Sequence, residues 1–177
     1  MRFQLLLAHS LLGIALIVCS VCGSLQAQAP PITGFATPIF ESFDFTDGAI
    51  YDIEEDWNGF IWIATDDGLF RFDGYDFKRY THSAGEPSSL SNNLARTLLV
   101  DSKQELWVGT QDGLNRYNRE TDSFINYKDK GLSDQIVWTI YEDTNEKIWV
   151  ATESGLHKYD PSNDVFSPFT VVGFSKD

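Results

Sequence analysis

Between residue 48 and residue 170, short runs of β-branched and aromatic residues alternate with clusters of Asp, Asn, Gly and Ser. This is the pattern of strands joined by tight turns. The runs fall into three similar units, and a phrase of eight residues marks each one. It reads Trp62-Ile63-Ala64-Thr65-Asp66-Asp67-Gly68-Leu69, then Trp107-Val108-Gly109-Thr110-Gln111-Asp112-Gly113-Leu114, then Trp149-Val150-Ala151-Thr152-Glu153-Ser154-Gly155-Leu156. The tryptophans are 45 and then 42 residues apart, a period that signals a repeat architecture. An Asp stands six positions before each Trp (Asp56, Asp101, Asp143), and a basic-aromatic-Asp/Asn step follows each Leu (Arg71-Phe72-Asp73, Arg116-Tyr117-Asn118, Lys158-Tyr159-Asp160).

Four strands are predicted in each unit. In the middle unit they cover Ala95 to Val100, Glu105 to Gly109, Leu114 to Tyr117 and Phe124 to Tyr127. In the second of these, alternation sends Leu106 and Val108 to one face and Trp107 with Gly109 to the other, so neither face is polar. A sheet apolar on both sides must be covered on both sides. Small antiparallel four-stranded sheets repeated at this period meet that demand by stacking face to face around an axis, as blades of a β-propeller. The fold class is therefore all-β, a partial propeller of about three blades spanning residues 48–80, 94–127 and 136–170.

The repeated residues have physical roles in such a stack. Trp62, Trp107 and Trp149 supply apolar surface between blades, and Ala64, Gly109 and Ala151 leave room for close approach on the same face. Gly68, Gly113 and Gly155 suit a turn of positive φ. Asp56, Asp101 and Asp143 are placed to cap the hairpin between the first two strands. Gly59 occupies that turn in the first unit, but Gln104 and Glu146 replace it in the others, which predicts turns of different type.

Residues 1–29 read as an address. Arg2 precedes Leu5-Leu6-Leu7 and the apolar run from Leu11 to Val18, and small residues follow, the form of a secretory signal peptide cut between Gly23 and Ala29. A second reading keeps the segment as an N-terminal anchor from Phe3 to Val21. Both cysteines, Cys19 and Cys22, fall inside it, so an exported, periplasmic domain cut there has neither disulfide nor thiolate chemistry. The net charge of −13 has the wrong sign for gathering phosphates, which argues against nucleic acid as a partner.

The recurring phrase resembles the two-component regulator propeller repeat, and the resemblance covers nearly all of residues 40–170. Trp-Ile/Val-Ala/Gly-Thr followed by Gly-Leu, the stretch Phe72-Asp73-Gly74-Tyr75-Asp76-Phe77, and Ser89-Leu90-Ser91-Asn92-Asn93 carry it. The Trp-Asp and Gly-Gly pairs of other propeller families are absent from the repeat positions. The resemblance implies a ligand-sensing input module, often for glycans, at the periplasmic end of a much longer membrane-bound sensor with a kinase or diguanylate cyclase output. It also marks residues 36–45, with Phe40 and Phe43 spaced as in each closing strand, as a strand that would complete a final blade.

About 148 residues follow Ala29, enough for three blades, whereas closed propellers have four to eight. The outer faces of the first and third sheets are then bare unless a longer chain or self-association supplies the missing blades.

Tyr51, Arg96 and Trp138 align at the start of each innermost strand yet differ chemically, and such variation on a constant scaffold is where ligand binding is written. With them at the same end of the sheets stand the turn acids Asp67 and Asp112. A small molecule or oligosaccharide is the expected ligand. The alternative of filling the channel rim stands beside it. No catalytic set, metal site or cofactor is expected: His82 and His157 lack zinc spacing, Glu54-Glu55-Asp56 and Asp66-Asp67 lack that of a calcium loop, and there is no Gly-x-Ser-x-Gly elbow. A lyase- or glycosidase-like propeller enzyme is the second reading, and a fragment without activity of its own is the third.

Overall fold

A computed structural model describes residues 48–132 and 136–170, which lie in the unit Asp44–Asp177. The signal peptide and the strand at residues 36–45 lie outside the described residues. Among the described residues, twelve strands form three antiparallel sheets of four, each joined in simple up-and-down order. The first holds β1 (Ile50–Glu55), β2 (Ile61–Thr65), β3 (Gly68–Phe72) and β4 (Phe77–Tyr80). The second holds β5 (Ala95–Val100), β6 (Leu106–Thr110), β7 (Gly113–Asn118) and β8 (Ser123–Asn126), and the third β9 (Val137–Glu142), β10 (Ile148–Thr152), β11 (Gly155–Asp160) and β12 (Val165–Pro168). The innermost strands β1, β5 and β9 neighbour one another in sequence order. This is the all-β, three-bladed arrangement that the repeat demands.

Every residue of β6 is buried, as a strand covered on both faces must be. Two apolar cores result, one in each gap between blades. Trp62, Ala64, Leu69 and Tyr80 of the first blade meet Leu98, Leu106, Val108, Tyr117 and Phe124 of the second. Trp107, Leu114 and Tyr127 of the second meet Val137, Ile140, Ile148, Val150 and Phe166 of the third. In the first gap the Trp62 ring lies 4.8 Å from Tyr117, and in the second Trp107 lies 5.2 Å from Tyr159, the edge-on contacts that aromatic quadrupoles favour. The basic residue after each Leu has its place here too: Arg71 lies over Trp62, Arg116 over Trp107 and Lys158 over Trp149.

The outermost faces differ from the covered ones at matched positions. Ile53 is 56% exposed, while its counterparts Leu98 and Ile140, each facing a preceding blade, are 3% and 6% exposed. On the other side Leu156 and Phe169 are exposed where Leu69, Leu114, Tyr80 and Tyr127 are buried. Among the described residues, the first and third sheets are therefore open outward.

Each repeat Asp does two jobs. One oxygen of Asp56 accepts from the backbone N–H of Asn58 and Phe60, and the other accepts from the Trp62 indole at 3.0 Å. Asp101 with Trp107 and Asp143 with Trp149 repeat this at 2.9 and 2.8 Å. The spacing of six is thus a hydrogen bond between hairpin and core. The expected difference in turn type is not found. Gly59, Gln104 and Glu146 all have positive φ (80°, 65° and 58°), and each donates its N–H to the carbonyl of its repeat Asp. The carboxylate cap holds the loop in one shape, so non-glycine residues tolerate a backbone that ordinarily costs them about 1–2 kcal/mol.

Thr65, Thr110 and Thr152 donate their hydroxyls to the carbonyls of Gly68, Gly113 and Gly155, where φ lies between 117° and 141°. Gly109 stands differently, in a crowded gap. A Cβ there would lie 2.5 Å from Val137 Cγ1 and 2.6 Å from Thr97 Cγ2. Gly109→Ala should therefore destabilise the protein by about 1–3 kcal/mol, read as a lower thermal midpoint, although alanine is native at positions 64 and 151.

Candidate functional site

Each innermost strand carries a β-bulge at the same place. Ile50 pairs with Thr65 and Asp52 with Ala64, so Tyr51 is extra. Ala95 pairs with Thr110 and Thr97 with Gly109, so Arg96 is extra. Val137 pairs with Thr152 and Thr139 with Ala151, so Trp138 is extra. A bulge bends its strand and re-aims one side chain. The three residues singled out by their variation are thus the three bulge residues, at one end of the sheets beside the β2–β3, β6–β7 and β10–β11 turns.

Tyr51 and Trp138 are 46% and 51% exposed. Arg96 is half-buried, and its guanidinium lies 4.8 Å from the Trp138 ring centre across the gap between the second and third blades. Its Nε donates to Gln111 Oε1 at 2.9 Å. Arg96, Gln111 and Trp138 therefore form one patch, a flat aromatic face beside a fixed fork of donors. No contact joins Tyr51 to them among the described interactions. The turn acids are held by cations: Asp67 pairs with Arg79, and Asp112 with Lys128 at 3.1 Å. Among the described residues no group of three His, Cys, Asp or Glu could hold a metal ion.

Two acids not marked by the sequence pattern link the blades. Asp122, in the β7–β8 turn with φ of 52°, accepts from Tyr80 of the first blade at 2.7 Å and from its own blade's Tyr117 at 2.6 Å, and it pairs with Lys78. Asp164 repeats this 42 residues on with Tyr127, Tyr159 and Lys130. Burial alone would raise both carboxyls, but the bonds from lysine and the two tyrosines outweigh it and hold each at about 2. Burial, then the bond to the carboxylate, pushes Tyr80 and Tyr127 well above the usual phenol range. The signal was present in the sequence as two aspartates with the same 42-residue spacing as Trp107 and Trp149.

A third feature lies at the opposite end of the sheets. Trp57 is 64% exposed in the β1–β2 turn, where Ser102 and Thr144 stand in the other blades.

A family model described as the two-component regulator propeller matches residues 89–112 and 131–154, covering the connector, innermost strand and Trp-containing strand of the second and third blades. Residues 89–112 and 131–154 are two-component regulator propeller repeats by this match. The first blade shares their phrase, register and bulge. These propeller repeats are 29% identical to the extracellular domain of a putative hybrid two-component system from B. thetaiotaomicron, with a TM-score of 0.63 over 71% of this chain and 19% of that one. A histidine kinase of Formosa agariphila is 40% identical over 75 residues, which is 40% of this chain and 5% of the kinase. A catalytically inactive virginiamycin B lyase from Staphylococcus aureus, solved with quinupristin, has a TM-score of 0.53 at 16% identity over 72% of this chain and 43% of that one, a likeness of fold alone. The chain thus spans a small part of the sensor proteins it matches. No helix among the described residues is long and apolar enough to cross a membrane.

Proposed function

We propose that the chain is an exported, non-enzymatic input module that contributes blades to a ligand-recognising propeller of a two-component-type sensor. The observation that carries this is the set of three bulges, which direct Tyr51, Arg96 and Trp138 to one rim of an otherwise repetitive scaffold. Bulges concentrate where a strand must aim a side chain at a ligand, and Arg, Trp and Tyr are the residues richest in binding energy. Asp67 and Asp112, already paired with Arg79 and Lys128, border the rim and fix its charge. The likeness to the extracellular domain of a hybrid two-component system supports the sensor reading and the exported location. The open faces of the first and third sheets support further blades, supplied by a longer chain or by self-association.

The flat face of Trp138 beside Arg96 suits an oligosaccharide ring. Calorimetric titration of the purified protein with neutral and acidic hexasaccharides tests this. For a saccharide that binds at the rim, Trp138→Ala and Arg96→Ala should each weaken affinity about tenfold or more. Unchanged affinity in both variants would remove the rim from the reading.

A further inference from the structure

We infer that a second saccharide subsite lies at the opposite end of the sheets, in the groove where Trp57 of the first blade faces the turns of the second. The groove has a volume of about 490 Å³ and is bordered by Trp57, Lys103, Glu105, Arg116, Arg119 and Glu120. Arg119 lies over Trp57, 5.2 Å from the ring centre, and its Nη2 donates to the Gln104 carbonyl at 3.2 Å and lies 3.5 Å from the Asp56 carboxylate. Because the Asp56 side chain is only 1% exposed and also holds the Trp62 indole, Arg119 is anchored to the repeat's own framework. Five guanidinium donors against two acceptors leave capacity for a ligand.

The repeat supplies an internal control. Between the second and third blades, the same turns enclose only about 20 Å³. There Ser102 stands in place of Trp57 and donates its hydroxyl and N–H to Glu142 at 2.6 and 2.8 Å, while Pro161 stands in place of Arg119. The scaffold closes this position by default, and the Trp57–Arg119 pair holds it open. Placing the largest apolar side chain in a solvated turn removes little surface from water, so folding gains little from it; the benefit lies in what stacks on the ring.

The chemistry points to a neutral, polyhydroxylated ring. An indole face takes the C–H face of a pyranose. Around it Lys103, Arg116 and Arg119 are balanced by Glu105, Glu120 and Asp56, so the groove has donors and acceptors for hydroxyls without a net charge to draw an ion. This subsite is independent of the bulge rim, and separate variants distinguish the two.

The test is titration of the full protein with cellohexaose, xylohexaose, mannohexaose, an oligogalacturonate and a proline-rich peptide. Calorimetry gives affinity, and the ¹⁵N–¹H indole resonances give location. At least one neutral hexasaccharide should shift the Trp57 resonance with a dissociation constant of about 1 mM or tighter. Trp57→Ser, which installs the second blade's residue, should abolish that shift and its heat while leaving the melting temperature unchanged. Arg119→Ala should weaken it about fivefold or more, and Trp138→Ala should leave it intact. The inference is overturned by a silent Trp57 resonance with all neutral sugars, by a response only to the oligogalacturonate or the peptide, or by undiminished binding in Trp57→Ser.

Discussion

Replacing Trp107 by alanine is expected to destabilise the protein by about 3–5 kcal/mol. The ring is fully buried between the second and third blades, in contact with Tyr127, Tyr159 and Phe166. Its removal leaves a cavity, and it also strips the second oxygen of Asp101 of its indole donor. Trp149 makes the matching bond to Asp143, yet it is only half-buried and its ring meets Phe169 of its own blade. Trp149→Ala should therefore cost clearly less. Urea unfolding followed by circular dichroism compares the two on one scale. Equal losses would show that the third blade is covered as well as the second, against an outward-open stack.

That contrast was legible in the sequence because the copies can be laid over one another. The period of the phrase marked three units, alternation in Leu106-Trp107-Val108-Gly109 gave two covered faces, and both follow from strand geometry alone. The rim was legible in part. Tyr51, Arg96 and Trp138 stood out by their variation, but the bulge that aims them is a matter of pairing between strands, and no residue type announces it. The Asp-to-indole bond was hidden for a similar reason: Asp101 and Trp107 are six apart, and only a folded hairpin brings them together. The turn-type expectation failed because glycine content was read without the carboxylate cap that lets Gln104 and Glu146 take its place. Trp57 left a trace that could have been used, a lone aromatic where the other copies have Ser102 and Thr144. The links through Asp122 and Asp164 join residues about forty positions apart, beyond any local pattern.

Those two links lead to the other large expected effect, a loss of stability in acid. Asp122 and Asp164 are held at about 2, below the ordinary aspartate value of 3.8. A carboxyl depressed in the folded state contributes stability that is fully present above its unfolded value and lost as pH falls through the folded one. The window therefore runs downward from about 3.8 to about 2. Protonation there weakens the acceptor shared by Tyr80 and Tyr117, and by Tyr127 and Tyr159, and it discards the charge facing Lys78 and Lys130. Both carboxylates are over a third exposed, so water and salt screen part of the pairing. Asp122→Ala should cost about 1–3 kcal/mol at neutral pH, chiefly because two nearly buried phenols lose their acceptor, and Asp164→Ala a similar amount. In the double variant, thermal midpoints should fall less steeply with acidification across that window than in the parent. The first blade lacks the parts of this device: Phe72 stands in place of the tyrosine, and the span from Phe72 to its partner Phe77 is two residues shorter than that from Tyr117 to Phe124. A sheet docking on that open face must do so without this link, by apolar contact with Ile53 and its neighbours.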